Sequence, residues 1–102
     1  MALHEVGAAD FQREVLEHPG RVLVDFYASW CGPCLMLAPQ LERLAAANPE
    51  VKIVKLDTDA HEALSEKYSV RTIPTLVAFQ NGEEVKRAVN PQSRAALESL
   101  IA

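Results

Sequence analysis

Val22-Leu23-Val24-Asp25-Phe26-Tyr27-Ala28-Ser29-Trp30-Cys31-Gly32-Pro33-Cys34 is the stretch that decides how this chain of 102 residues is read. From Val22 to Ala28 it is apolar on both alternating faces except at Asp25, the pattern of a strand covered on both sides. Its end holds the only two cysteines of the chain, three positions apart. That spacing lets two thiols close an intramolecular disulfide while the first stays open to a partner. Beyond Cys34 the pattern turns helical, with Leu37, Leu41, Leu44 and Ala45 on one face. A cysteine at the mouth of a helix meets unpaired backbone N–H groups and the positive end of the helix dipole, which favour thiolate over thiol. The thiolate is the nucleophile of disulfide exchange, so these residues point to redox chemistry.

Working outward, the length suits one domain with its own core, residues 1–102. The composition, 49% hydrophobic and 24% charged, is that of an ordinary globular chain. A formal net charge of −4 offers no attraction to phosphate backbones or anionic membranes, so nucleic acid is not an expected partner. The N-terminal residues Met1 to Gly7 lack the basic start and apolar run of a secretory signal, and no window reaches the length of a membrane span. One CxxC pair and no other cysteine suits a reducing compartment, which makes the cytoplasm the expected location.

Upstream, Leu3 to Val6 reads as a short first strand and Ala8 to Glu17 as a helix with Phe11, Val15 and Leu16 at helical spacing, closed by His18-Pro19-Gly20. Downstream, Pro39 falls inside the helix that follows Cys34 and should kink it, and Asn48-Pro49 should end it. Val51 to Leu56 reads as a second buried strand. Thr58 to Tyr68 reads as a helix with Thr58 or Asp59 as N-cap. Thr75 to Gln80 is a third buried strand, joined by an Asn81-Gly82 turn to an antiparallel edge strand, Glu83 to Val89. The last helix carries Ala96, Leu97, Leu100 and Ile101 on one face. It starts either from Asn90 with Pro91 in its first turn or from Ser93. The order β-α-β-α-β-α-β-β-α predicts an α/β fold, a central mixed sheet of four to five strands with helices on both faces.

Several residues admit two readings from pattern alone. Asp25 is either a desolvated acid with a raised pKa or an aspartate facing solvent at a strand end. Lys55 interrupts the apolar run Val51 to Leu56 and reads as a lysine that lines the sheet with its stem and snorkels to water. Gly32 and Pro33 carry no charge and no side-chain donor, which disfavours the thiolate and makes the dithiol the better reductant; equally, they start a helix. Trp30 is an apolar platform beside Cys31 or part of the core. CxxC could also be half of a zinc site, but His4, His18 and His61 are scattered singly, so no metal is expected.

With Phe26 to Cys34, Asp25, Pro39, Ile73-Pro74-Thr75 and Phe79-Gln80-Asn81-Gly82 in order at family spacing, the chain resembles the thioredoxin family along nearly its whole length. The resemblance implies the thioredoxin fold and a protein disulfide reductase. Cys31 would be the nucleophile, open to solvent, and Cys34 the more buried resolving thiol, deprotonated by Asp25 with Lys55 tuning that acid. Gly32 and Pro33 would set the redox character of the pair. The bond before Pro74 would be cis, and Ile73, Pro74, Thr75 and Trp30 would bind an extended client segment. No bound cofactor is implied beyond the Cys31–Cys34 disulfide. Electrons would come from NADPH through a flavoprotein, thioredoxin reductase, and pass to disulfide-bearing client proteins, with the chain acting as a monomer. Three departures bear on partner choice: Leu35 where a cation is common, Tyr27 where tryptophan is more familiar, and Asn90-Pro91 where a glycine usually borders the groove. Two rival readings are an oxidant or isomerase outside the cytoplasm and a docking subunit with idle thiols.

Overall fold

A computed structural model describes residues 3–102. Five strands form one mixed sheet in the order β1-β3-β2-β4-β5: β1 (His4–Glu5), β2 (Arg21–Tyr27), β3 (Lys52–Asp57), β4 (Thr75–Gln80) and β5 (Glu83–Val89). β3 runs parallel to both β1 and β2, whereas β4 is antiparallel to β2 and to β5. The predicted α/β sandwich is therefore what forms.

Strand alternation sorts the core into two layers. Val22, Val24 and Phe26 of β2 pack with Val54, Leu56, Val77 and Phe79 against a π-helical turn, Gln12–Leu16, and helix α2 (Glu62–Lys67). Leu23, Ile53, Leu76 and Ala78 point the other way, under helix α1 (Gly32–Ala47) and helix α3 (Arg94–Ile101). Asp25 alternates with Leu23 and so lies on the face that α1 covers. Leu37, Leu41 and Leu44 are the buried stripe of α1, as their spacing predicts, and Asn48 closes the helix. Pro39 lies within α1 and brings no N–H to the Leu35 carbonyl.

Two boundaries differ from the sequence reading, each because a side chain serves a turn instead of a helix, and a third that the sequence left open is settled. In place of a helix over Ala8 to Glu17 there is only the π-helical turn, closed by Glu17 N–H to Gln12 O at 2.9 Å. Asp10 Oδ1 accepts the Gly7 N–H at 2.8 Å and holds the preceding residues as a turn. The second helix starts at Glu62, with neither Thr58 nor Asp59 as cap, because Asp57 Oδ1 accepts the N–H of Asp59 at 2.9 Å and delays the helix by a turn. Of the two starts open to the last helix, Ser93 is the one used: its hydroxyl accepts the Ala96 N–H at 3.1 Å. Asn90 instead adopts φ +46°.

Asn81 and Gly82 form the β4–β5 turn, with φ of +52° and +87°, as an Asn-Gly pair favours. Gly82 is also bound by space, since a Cβ there would lie 2.7 Å from the Leu16 carbonyl oxygen. Gly82→Ala is expected to cost about 1–3 kcal/mol in urea denaturation, and an unchanged midpoint would show that the turn can shift.

Candidate active site

β2 ends at Tyr27 and α1 begins at Gly32, so the chain crosses from sheet to helix in four residues. Cys31 is the N-cap of α1, with an extended backbone, and its Sγ accepts the Cys34 N–H at 3.2 Å. That bond is the local reason for a reactive sulfur here. An orphan donor of the first helical turn points at this sulfur, an arrangement that favours negative charge on it when the pair is reduced. Cys31 and Cys34 are joined as a disulfide, with Cα atoms 5.2 Å apart. Gly32 and Pro33 are exposed as the first residues of α1, where proline's missing donor costs no helical hydrogen bond.

The expectation that Cys34 is the more buried partner does not hold in this disulfide form, where each cysteine is 4% exposed. Cys31 is covered by Ala28 and by Ile73, whose carbonyl oxygen lies 3.9 Å from its Sγ.

The Ile73–Pro74 bond is cis, as the family resemblance implies. Thr75 is buried at the start of β4 and its hydroxyl donates to the Thr72 carbonyl, while Asn90 N–H donates to Pro74 O at 2.8 Å. The Asn90-Pro91 loop is thereby tied to the turn facing the cysteines. An open groove of about 470 Å³ runs between this loop and α1, with Pro33, Met36, Gln40, Asn90, Pro91 and Gln92 among its lining. Leu35 and Met36 are exposed apolar side chains, and Met36 lines the groove.

Trp30 is 70% exposed and not part of the core. Its indole N–H donates to Asp59 Oδ2 at 2.7 Å. Asp59 is a residue of the site that sequence reasoning missed, because Asp57-Thr58-Asp59 looks like a helix start and nothing in its spacing points toward Trp30.

Asp25 resolves to the desolvated reading. It is 4% exposed, and its Oδ1 has no hydrogen-bond partner among the described residues. Burial pushes its carboxyl from 3.8 up to about 7, against the pull of Lys55. Lys55 is its register partner on β3 and is half-buried, so it belongs with the acid and not with the sulfurs. Among the described residues no three His, Cys, Asp or Glu side chains are grouped to hold a metal, and no helix is long and apolar enough to cross a membrane.

Two neighbouring thiols in this setting can give two electrons to another disulfide or take two from a dithiol, and fold and site together define a thiol–disulfide oxidoreductase. A Thioredoxin family model matches residues 2–102. The thioredoxin of Chlamydia trachomatis is 51% identical over 82 residues, 80% of each chain. A bifunctional thioredoxin reductase/thioredoxin of Mycobacterium leprae is 44% identical over 94 residues, which is 91% of this chain and 20% of that protein. Among solved structures, a mutant thioredoxin from Halobacterium salinarum NRC-1 matches with a TM-score of 0.88 and 41% identity, over 98% of this chain and 88% of that one. The chain belongs to the thioredoxin family, and its activity is protein disulfide reduction.

Proposed function

We propose that this chain works as a single-domain reductant of client disulfides, with Cys31 as the attacking and Cys34 as the resolving sulfur. The Cys31 thiolate attacks one sulfur of the client disulfide, and the other client sulfur leaves as thiolate. Cys34 gives its proton to the Asp25 carboxylate and attacks the Cys31 sulfur. That step closes Cys31–Cys34 and expels the second client thiolate, so two electrons have passed to the client. The observation that carries this order is the Cys34 N–H directed at Cys31 Sγ, because it favours negative charge on the first sulfur. Exposed Trp30 and half-buried Ile73, which leads the Ile73-Pro74-Thr75 turn, offer the surface for an extended client segment, whose backbone would pair beside the cysteines.

The protein holds no cofactor of its own in this reading. Recharging falls to a flavoprotein reductase drawing on NADPH. Its support is the Mycobacterium leprae relative, whose name joins a thioredoxin reductase to a thioredoxin in one protein. The cytoplasm is the proposed compartment and a monomer the proposed state.

The deciding experiment is the equilibrium reduction potential of Cys31–Cys34, by titration against a defined thiol buffer. A potential below that of the glutathione pool is expected, since neither Gly32 nor Pro33 stabilises the thiolate. A potential above it would assign the chain to oxidation or isomerisation instead.

A further inference from the structure

Glu5 of β1, Lys55 of β3 and Asp25 of β2 are register partners across three adjacent strands. Partners in register project to one face of a sheet, and Tyr27, two residues past Asp25, shares that face. The Tyr27 hydroxyl donates to Glu5 Oε2. The Lys55 ammonium lies 5.4 Å from the centroid of the Tyr27 ring and forms no ion pair among the described residues. A ring face attracts a cation without cancelling its charge, so an ammonium held this way still acts on a neighbouring acid. The other groups around Asp25 offer no cation. β4 places Leu76 opposite it, α1 brings Cys34 and Leu37 to that face, and Glu5 and Asp57 are the nearby acids on β1 and β3.

We propose that Tyr27 is a positioning residue: its ring, braced by Glu5, holds the Lys55 ammonium against Asp25 and so sets the pH at which that acid can accept the Cys34 proton. The exchange steps need no part of this Glu5–Tyr27–Lys55 chain, although the proposal rests on reading Asp25 as the base.

The test is the titration midpoint of the Asp25 carboxyl, followed by carbon-13 NMR in the disulfide form of the full chain. Tyr27→Leu should raise the midpoint by about half a pH unit or more, because the freed ammonium moves into water. Tyr27→Phe keeps the ring and should recover most of the native value. Lys55→Met should raise the midpoint as well, and adding Tyr27→Leu to it should change nothing further. In the native protein the Lys55 ε-methylene protons should be shifted upfield by the ring, a reading that needs no variant to fold. Unshifted ε protons would overturn the proposal. So would a Tyr27→Leu midpoint that stays or falls, or a Tyr27→Leu shift that persists without Lys55. The disulfide form performs no exchange, so the role of Asp25 as base is judged separately, by the rate at which Asp25→Asn resolves its mixed disulfides.

Discussion

Replacing Cys34 with serine should leave a protein that attacks client disulfides once and then stays bonded to them. The Cys31 sulfur remains at the helix mouth, with the N–H of residue 34 still available to it, so the first step keeps its nucleophile. The second step has lost its own, since a serine hydroxyl near neutral pH does not displace a thiolate. Covalent adducts should therefore accumulate, stable to denaturant and released by added thiol. Cys31→Ser should instead fail at the first step, with turnover down roughly a thousand-fold or more and no adducts. Non-reducing electrophoresis after incubation with a disulfide client separates the two variants. Normal turnover by Cys34→Ser would refute the assignment of roles.

Asp25→Asn should be more stable than the native protein at alkaline pH and slower in catalysis. Raising the carboxyl from 3.8 to about 7 is worth about 4 kcal/mol at 1.36 kcal/mol per pH unit. The sign follows from proton counting. Between about pH 4 and pH 7 the native state keeps a proton that the unfolded chain has lost, so stability falls as pH rises through that window. Above pH 7 the full cost of a buried carboxylate is present, and below pH 4 it is absent. An amide never ionises, so Asp25→Asn should gain up to about 4 kcal/mol at pH 8 and little at pH 4. Urea titrations of the disulfide form at both pH values measure this. Equal stabilities at pH 8 would show that water reaches the carboxylate. In the reduced protein the same substitution removes the proposed proton acceptor for Cys34, and mixed-disulfide resolution should slow by about a hundred-fold.

How far the sequence reaches can be judged element by element. The three buried strands were legible because apolar residues dominate both of their faces, broken within them only by Asp25, Lys52 and Lys55, and a strand covered on both faces needs that pattern. Leu37, Leu41 and Leu44 disclosed the buried stripe of α1 for a similar reason. Ends of elements were harder to read. Thr58 or Asp59 reads as a helix cap and Ala8 to Glu17 as a helix, but the carboxylates of Asp57 and Asp10 accept turn N–H groups, which a carboxylate takes as readily as a cap N–H. Which it takes depends on what lies beyond the local chain. The Asp59 carboxylate goes to the Trp30 indole, twenty-nine positions away, and no local pattern carries that information.

The candidate site divides along the same line. Covalent spacing and helix polarity are local, so the cysteine pair, its place at a helix mouth and the redox class of the protein stood in the sequence itself. Asp25 did not. A lone acid among valines can face water or core, and only the packing of α1 over that face of the sheet shows that it is desolvated, with no hydrogen-bond partner for Oδ1 among the described residues. Lys55 was undecided for the same reason, until the parallel register of β2 and β3 set it beside Asp25 and under the ring of Tyr27. The sequence alone determined what depends on residue type and near spacing: the strands, the helical stripes, the reactive pair and the chemistry they imply. The tertiary structure decided what depends on desolvation and strand register, because both are set by segments remote in the chain.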